Sequence, residues 1–142
     1  MTDMPCLKSR GLIRNGGILM KRILVVEDNA DNRDLVCALL EDHYIVGSCS
    51  NAMEALDHLQ RHKDSQPDLL LLDISLPGMD GIELLQRIRS VSHLKQIPAI
   101  ALTAHAMKDD WQRFISQGFD GYVSKPIVDD NLLFEAVANL IC

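Results

Sequence analysis

The sequence predicts an α/β fold, a doubly wound arrangement in which five strands alternate with five helices. Four short apolar runs end at polar residues, and each run is too short for a helix but suits a strand buried on both faces of a sheet. Between the runs lie segments whose apolar residues recur at helical spacing. Because neighbouring parallel strands need a crossover connection, usually a helix, this alternation favours one parallel sheet covered by helices. The four runs are Arg22–Val26, Leu69–Leu72, Ile100–Leu102 and Gly121–Ser124.

In the first half of this pattern, the strand Arg22–Val26 is followed by a helix predicted over Asp31–Asp42, where apolar residues recur three and four positions apart. A short strand is predicted over Tyr44–Gly47. Asn51 is a favourable N-cap residue, because its side chain can accept a hydrogen bond from the N–H groups of a first helical turn. The second helix is therefore expected to run from this residue to about Arg61.

The second half of the chain repeats the alternation. The third strand is predicted to end at Asp73, and the turn-rich loop 76–81 then leads into a third helix. Pro98 opens the fourth strand, a position that tolerates proline. The fourth helix is predicted over Lys108–Gln117 and is stopped by Gly118. The fifth helix is marked by apolar residues at helical spacing, which are Leu132, Leu133, Ala136, Val137, Leu140 and Ile141.

Length and charge limit the classes of function. A chain of 142 residues suits a single domain, and a formal net charge of −6 without a basic stripe argues against nucleic-acid binding. The 4 cysteines include no CxxC pair, so no zinc or redox motif is predicted and a reduced, cytoplasmic chain is expected. No segment approaches the roughly 20 apolar residues that span a bilayer, so no membrane association is expected.

The first twenty residues differ from the rest of the chain. They contain Pro5 and several glycines but no sustained hydrophobic period. We therefore expect residues 1–20 to form a flexible N-terminal extension and residues 21–142 to form the folded domain.

The polar residues at the ends of the apolar runs predict one shared site. Glu27 and Asp28 follow the first run, Asp73 follows the second, and Thr103 and Lys125 end the last two. In an open α/β sheet, ligands bind at the carboxyl ends of the strands, so these side chains should converge. Three carboxylates held close together repel one another, which raises the pKa of at least one of them unless a cation compensates. Ligands that are all oxygen atoms favour a hard ion, and Mg²⁺ is preferred over Ca²⁺.

These residues suit phosphoryl transfer. With Mg²⁺ bound, Asp73 can keep an ionised oxygen that attacks phosphorus, while the metal and Lys125 offset the charge of the transferring group. Thr103 can donate a hydrogen bond to the same group, and backbone N–H groups beyond the strand ends can add others.

At these positions the chain from Lys21 to Cys142 resembles the receiver domains of bacterial two-component response regulators. The resemblance implies a flavodoxin-like three-layer sandwich with strand order 2-1-3-4-5. The run Glu27–Arg33 most resembles receivers attached to, or working with, hybrid sensor kinases, and we expect a single-domain regulator. The matching motifs, in matching order and spacing, are Val25–Asn29, Leu72–Gly81, Thr103–Ala104 and Lys125–Pro126.

The resemblance assigns a role to each residue of the metal and phosphate site. Asp73 matches the phosphoacceptor, Asp28 the direct Mg²⁺ ligand and Glu27 its acidic neighbour. Ser75 matches the position whose backbone carbonyl completes the metal shell, and Lys125 matches the phosphate-binding lysine.

The resemblance also implies features beyond the metal shell. The peptide bond before Pro126 is expected to be cis, and Thr103 and Tyr122 match a switch pair in which the hydroxyl moves toward the phosphate and the ring turns inward. The implied partners are a sensor histidine kinase or a histidine phosphotransfer protein, together with a downstream protein. The fourth helix, fifth strand and fifth helix form the expected contact face for that downstream protein.

Two other classes of function remain open at this stage. A Mg²⁺-dependent phosphohydrolase working through an aspartyl-phosphate would use the same pocket, but enzymes of the haloacid dehalogenase type place a general-acid Asp where this chain has Ser75. A flavin or nucleotide carrier would need a glycine-rich or hydroxyl-rich first loop, whereas this one is acidic. The favoured interpretation is a phosphorylated switch that is not an enzyme, beyond promoting its own phosphorylation and slow dephosphorylation.

Two further patterns allow more than one interpretation. Trp111 has helical spacing with Met107 and Ile115, which is typical of core packing but also suits an exposed anchor for a partner. His58 and His62 lie four positions apart on the second helix and could bind a metal, although the sequence offers no third ligand and exposed histidines are the simpler interpretation.

Overall fold

The computed structural model describes residues 13–14, 17–18, 20–62, 65–104, 108–127 and 130–141. Its sheet consists of β1 (Arg22–Val26), β2 (Ile45–Cys49), β3 (Leu69–Asp73), β4 (Ala99–Thr103) and β5 (Gly121–Ser124). The helices are α1 (Ala30–Leu40), α2 (Ala52–Arg61), α3 (Gly81–Arg89), α4 (Lys108–Ser116) and α5 (Asp130–Ile141). A short 3₁₀ turn, Ser92–Leu94, follows α3.

The five strands are parallel and lie in the order β2-β1-β3-β4-β5. This confirms the predicted 2-1-3-4-5 order. The chain moves from β1 outward to β2, then returns to β3 on the other side of β1 and continues in one direction. The order therefore reverses between β1 and β3, and the carboxyl ends of these two strands meet where an open α/β sheet places its ligands.

Helices cover both faces of the sheet and complete the predicted three layers. Alternate residues of the central strands point to opposite faces, because side chains alternate along a strand. Leu70 and Leu72 pack with α2, α3 and α4 in one apolar cluster. Leu69 and Leu71 pack with α1 and α5 in the other. Every residue of β3 and β4 is buried, which explains their almost uninterrupted apolar sequence.

Edge strand β5 differs from the prediction that the four apolar runs are buried on both faces, and edge strand β2 differs from its predicted bounds. In β5 only Val123 is buried, and Tyr122 and Ser124 are exposed. In β2 only Cys49 is buried, and this strand starts one residue later and ends two residues later than predicted. An edge strand has a neighbour on one side only, so solvent reaches more of its side chains.

Helix boundaries follow the capping residues. Asn51 accepts a hydrogen bond from Glu54 N at 2.8 Å, which confirms the predicted N-cap of α2. Asn29 caps α1 in the same way through Asn32 N at 2.9 Å, so α1 begins at Ala30, one residue earlier than predicted, and ends two residues earlier. Helix α4 ends at Ser116, just before Gly118, whose φ of +104° suits the left-handed turn after a helix.

Within the predicted extension, Ile13–Arg14 pairs with Gly17–Ile18 as two short antiparallel segments. The rest of residues 1–19, and the predicted helical residue Met107, lie outside the described residues. In the described part of the chain, no helix combines the length and the apolar character needed to cross a membrane.

Candidate functional site

Three carboxylates meet at the edge of the sheet where the strand order reverses. Glu27 and Asp28 directly follow β1, and Asp73 is the last residue of β3. One ligand atom from each of the three lies within 4.8 Å of the others. Glu27 and Asp73 are fully buried, whereas Asp28 is exposed. The site therefore has a buried floor and one acidic residue at its mouth.

Lys125 follows β5 and extends over both buried carboxylates. Its Nζ atom lies 3.2 Å from Glu27 Oε1 and 3.1 Å from Asp73 Oδ2. Its backbone N–H donates to Thr103 O at 2.8 Å, which fixes the loop after β5 against the end of β4. The next peptide bond, Lys125–Pro126, is cis. One ammonium group thus faces two carboxylates, leaving a local excess of negative charge.

Backbone N–H groups hold the remaining carboxylate oxygens. Ser75 N donates to Asp73 Oδ1 at 2.9 Å, and Asn29 N donates to Glu27 Oε2 at 3.1 Å. Arg33 donates from its guanidinium to the Glu27 carbonyl oxygen at 2.9 Å, so α1 also fixes the end of β1. These contacts orient both carboxylates before any ligand binds. Ser75 reaches Asp73 through its amide, a contact distinct from the carbonyl role that the resemblance implied.

The pKa values of the two inner carboxyl groups shift in opposite directions. Burial, together with the neighbouring Asp73, raises the pKa of Glu27 from 4.5 to about 7. Burial also acts to raise the pKa of Asp73, but Glu27, the Ser75 N–H and Lys125 outweigh it and hold that pKa below its usual value. Burial acts to lower the pKa of Lys125, and the two carboxylates more than offset this, so the net direction is upward. Asp73 is therefore the ionised member of the pair.

The donor set fits a hard divalent cation. Asp73 Oδ2 is buried and, within the described part of the chain, accepts no hydrogen bond, although it lies near Lys125. It belongs to the same group of converging carboxylates as Glu27 and Asp28. A cation bound there would add a second positive partner for this oxygen beside Lys125, and it would offset the burial and the neighbouring charge that raise the pKa of Glu27. Oxygen ligands of this kind suit Mg²⁺.

The family follows from comparison with known proteins. The family model described as "Response regulator receiver domain" matches residues 23–138, which include all three acidic residues and the whole sheet apart from Arg22. The chain belongs to the response-regulator receiver family.

Individual receiver-containing proteins agree with this assignment. The polar-differentiation response regulator DivK of Brucella anthropi is 41% identical over 108 residues, which are 75% of this chain and 85% of DivK. The signal transduction histidine-protein kinase BarA of Escherichia coli K12 is 37% identical over 115 residues, 80% of this chain but only 12% of BarA. The crystal structure of the receiver domain of sensor histidine kinase PA1611 from Pseudomonas aeruginosa superimposes with a TM-score of 0.75 at 29% identity, covering 87% of this chain and 98% of that one. That crystal structure has a magnesium ion coordinated in its active-site cleft.

Membership of this family establishes the general function of the domain. Receiver domains are the phosphorylation-activated parts of two-component and phosphorelay systems, and they interact with histidine kinases or phosphotransfer proteins. The family typically binds Mg²⁺ at an acidic site, and this chain has an acidic cluster at the corresponding edge of its sheet.

The residues that the resemblance assigned to switching lie on the β4–β5 side of the receiver site. Thr103 is buried at the end of β4, whereas Tyr122 on β5 is 38% exposed. The Tyr122 ring contacts Trp111 of α4, with centroids 4.8 Å apart and planes at 44°. Trp111 is half-buried and also packs against the core beneath α4. It is therefore both a packing residue and a neighbour of the outward-facing tyrosine.

Sequence reasoning missed one residue on which the receiver site depends. Gly81 is the first residue of α3, and a Cβ atom there would clash with the Asp73 carbonyl oxygen and lie 3.0 Å from Ile74 Cα. Its N–H donates to Ile74 O at 3.1 Å. Only glycine permits α3 to approach the end of β3 so closely. The sequence signal was present in the turn-rich loop, but a glycine in a turn does not reveal which backbone it approaches.

Proposed function

We propose that Asp73 accepts a phosphoryl group from the phosphohistidine of a sensor kinase or phosphotransfer protein, and that phosphorylation switches the domain between two protein-binding states. One observation carries the proposal. The buried, ionised carboxylate of Asp73 is oriented by the Ser75 N–H and Lys125, beside two further carboxylates able to hold a cation. Such a preorganised, ionised carboxylate suits nucleophilic attack on phosphorus.

The reaction transfers one phosphoryl group between two side chains. An ionised oxygen of Asp73 attacks the phosphorus atom, the P–O bond forms as the P–N bond breaks, and the imidazole of the donor leaves with its bonding electron pair. Lys125 lies 3.1 Å from Asp73 Oδ2, where its charge offsets the negative charge of the acylphosphate product. Thr103, at the end of the adjacent strand, is placed to donate to a phosphoryl oxygen.

Mg²⁺ is the cofactor that this proposal requires. Glu27, Asp28 and Asp73 would hold it, and the Ser75 carbonyl is the further ligand that the resemblance supplies. When bound, the ion neutralises charge on the phosphoryl oxygens and allows an anionic nucleophile and an anionic group to meet. Because the raised pKa of Glu27 reflects burial and the charge of Asp73, the protein would exchange a proton for the metal.

We propose a switch rather than a phosphohydrolase. A hydrolase that turns over through an aspartyl-phosphate needs a group that protonates the leaving oxygen and then activates water, and the position suited to this, residue 75, is a serine. Ser75 contacts Asp73 through its backbone N–H, which can stabilise the carboxylate but cannot act as a general acid. The domain is therefore expected to promote only its own phosphorylation and slow dephosphorylation. We place it in the cytoplasm, where such kinases transfer their phosphoryl groups.

The output contact is proposed to use α4, β5 and α5. On this face Tyr122 is 38% and Ile115 is 50% exposed, and the half-buried Trp111 contacts Tyr122 and packs on the core. Aromatic residues with partly exposed rings commonly provide the anchors of protein interfaces. Since Tyr122 belongs both to this face and to the assigned switch pair, a change at Asp73 could alter the surface that a downstream protein contacts.

Intact-mass spectrometry tests the phosphoacceptor. Incubation of the full chain with Mg²⁺ and acetyl phosphate should add one phosphoryl group, and omission of Mg²⁺ or the substitution Asp73→Asn should abolish the adduct. Asp57→Asn is the matched control, because Asp57 is an exposed residue whose ion pair is with Arg61 on the same helix. An adduct that persists in Asp73→Asn would place the chemistry elsewhere. Rapid release of phosphate with multiple turnovers would favour the hydrolase instead.

A further inference from the structure

We propose that His58 and His62, at the carboxyl end of α2, form a two-histidine site for a divalent transition-metal ion such as Zn²⁺. This site would lie at the edge of the sheet opposite the acidic cluster. It is independent of the phosphoacceptor function, because it uses none of the residues that hold Mg²⁺ or the phosphoryl group. Neither its ligands nor its ion follows from membership of the receiver family.

The spacing of the two histidines places them on one side of α2. Residues four positions apart are neighbours on a helix surface. The His58 and His62 rings are 4.5 Å apart between centroids, with planes inclined at 40°. In this arrangement one nitrogen from each ring can approach the same point after small rotations of the side chains. Imidazole nitrogens bind Zn²⁺ at about 2.0–2.1 Å, so two adjacent rings form a natural chelating pair.

The two rings border a cavity that offers room for an ion and its water ligands. The cavity has a volume of about 150 Å³ and lies between the end of α2 and the first residues of β1 and β2. A volume several times the roughly 30 Å³ of one liquid water molecule allows coordination positions to be completed by water. Its polar lining includes both histidines and Ser65, and apolar residues such as Ile23, Val46 and Pro67 form the remaining wall.

The ring nitrogens are available for coordination. Within the described residues, the rings of His58 and His62 contact each other but form no hydrogen bond or ion pair. His58 is half-buried, and His62 at the helix end is exposed, so an ion can enter from solvent. Burial, followed by the neighbouring His62, lowers the pKa of His58. This favours the neutral imidazole that binds metals.

The surrounding charges favour a cation over an anion. Glu54 and Asp57 lie on the same helix and act on His58 electrostatically, although Asp57 also pairs with Arg61 at 3.0 Å. Arg22 lines the cavity and is the main group that would instead attract an anion. Asp68 places a negative charge near the same residue, because its carboxylate accepts from the Arg22 backbone N–H at 2.8 Å. Imidazole ligands select ions such as Zn²⁺, Ni²⁺ or Cu²⁺ over Mg²⁺.

The two metal sites are well separated. The cavity lies at Arg22 and Ile45, the first residues of β1 and β2, whereas Glu27 follows the last residue of β1. Five residues of parallel strand span roughly 16 Å at about 3.3 Å per residue. An ion at the histidine pair therefore cannot share ligands with an ion at Asp73, and the two can be saturated independently.

Side-chain ¹H–¹⁵N spectra of the histidines test the proposal without depending on phosphorylation. Zn²⁺ is titrated into the full chain with reductant and excess Mg²⁺, which occupies the acidic site. The ring signals of His58 and His62 should shift together at the same Zn²⁺ concentration, while those of His43, His93 and His105 should not. His58→Gln and His62→Gln should each weaken this response by about tenfold or more, because either variant leaves a single ligand. His93→Gln, at an exposed turn, is the matched control and should change nothing.

Several outcomes would overturn the proposal. Zn²⁺ that binds without shifting the rings of His58 and His62 would place the metal on cysteines or carboxylates. An undiminished response in His62→Gln would exclude a two-histidine site, and this exposed position keeps the test informative if His58→Gln does not fold. Shifts of both rings with inorganic phosphate, together with no response to Zn²⁺, would assign the cavity to an anion held by Arg22.

Discussion

The ammonium group of Lys125 lies 3.1 Å from Asp73 Oδ2 and joins the loop after β5 to the end of β3. The two residues are brought together only by the strand order, since β4 separates their strands in the sheet. The Asp73 side chain is 1% exposed and that of Lys125 is 17% exposed, so solvent screens the pair weakly. Together with Glu27 and the Ser75 N–H, this contact favours the ionised form of the proposed phosphoacceptor.

Lys125→Met should slow phosphorylation of Asp73 by acetyl phosphate about tenfold or more, because the acylphosphate loses its fixed positive charge. The substitution keeps the length of the side chain, so packing is changed little. The rate is measured by intact mass against time at saturating Mg²⁺. Lys95→Met, an exposed residue beside the 3₁₀ turn, is the matched control and should retain the wild-type rate. Equal rates in both variants would remove Lys125 from the chemistry.

Glu27 should make the metal-free protein less stable as the pH rises. Its pKa is raised to about 7 in the folded state, so between the unfolded value near 4.5 and about pH 7 the folded state binds the extra proton. The free energy of unfolding therefore falls through this window, with a slope from this group of at most about 1.4 kcal/mol per pH unit. Urea unfolding in a chelating buffer from pH 5 to 8 measures the slope.

The matched variant for this pH dependence is Glu27→Gln. It keeps the shape of the side chain but cannot titrate, so its stability should decline less than that of the wild type between pH 5 and 7. The lowered pKa of Asp73 acts in the opposite direction and below this window, because its contribution is present above its usual pKa and is lost toward acid. Parallel curves for the wild type and Glu27→Gln would contradict a raised pKa at Glu27.

Gly81→Ala should displace the end of β3 and reduce phosphorylation of Asp73. The new Cβ atom would clash with the Asp73 carbonyl oxygen, and backbone atoms cannot yield as a flexible side chain can. We expect a loss of about 1–3 kcal/mol in the free energy of unfolding, measured by chemical denaturation, together with a slower mass shift. Gly47→Ala is the control, because its Cβ would meet Leu24 Cδ1 at an ordinary 3.7 Å. Unchanged stability in Gly81→Ala would show that α3 can move away without cost.

Arg89 should contribute to stability far more than Arg87, although both lie in the last turn of α3. Arg89 donates to the carbonyl oxygens of Lys95, Ile97 and Gly118 and also approaches Asp120 at 3.5 Å. Arg89→Ala should therefore lower the free energy of unfolding by about 1–3 kcal/mol. The Arg87 guanidinium forms an exposed pair with Glu83 at 3.3 Å, and Arg87→Ala should change stability by no more than about 0.5 kcal/mol. Thermal and urea unfolding of the two variants should differ accordingly, and equal losses would be inconsistent with the Arg89 network.

The fluorescence of Trp111 should change when Tyr122 moves, because the chain has a single tryptophan and the centroids of the two rings lie 4.8 Å apart. If phosphorylation turns Tyr122 inward, Trp111 gains solvent contact and its emission should shift to longer wavelength. Adding acetyl phosphate and Mg²⁺ should produce this shift in the wild type but not in Tyr122→Leu or Asp73→Asn. Identical emission before and after phosphorylation of the wild type, verified by mass, would contradict a coupled Trp111–Tyr122 pair.

The sequence predicted the acidic site well because its geometry follows from topology. Once Glu27, Asp28 and Asp73 are placed after strands that lie side by side in a parallel sheet, the carboxyl ends must meet. The prediction that at least one pKa rises was correct in direction, although burial contributes more to the shift at Glu27 than the neighbouring carboxylate that the prediction was based on. The sequence could not reveal which carboxyl group carries the proton. That depends on the Glu27 hydrogen bond, the Ser75 N–H and Lys125, which together outweigh burial and favour the ionised form of Asp73.

The same contrast applies to Trp111 and to the histidine pair. Helical spacing left both core packing and exposure open for Trp111. In the structure its side chain is half-buried and contacts Tyr122. The spacing of His58 and His62 was visible in the sequence, but the cavity beside them was not. That cavity is formed by the first residues of β1 and β2, which are distant in sequence from the end of α2.

By itself, the sequence determined the alternation of strands and helices, the strand order implied by its motifs and the residues that gather at one edge of the sheet. The alternation depends on periodicity, turn residues and parallel crossovers, which are local or topological properties, whereas the strand order came from the resemblance of the motifs to receiver domains. Only the tertiary structure decided how close Gly81 lies to the Asp73 carbonyl, how Lys125 divides its charge between two carboxylates and which edge strand exposes Tyr122. Those features depend on distances of a few ångströms between segments far apart in the chain, where burial and electrostatics, rather than sequence pattern, determine the outcome.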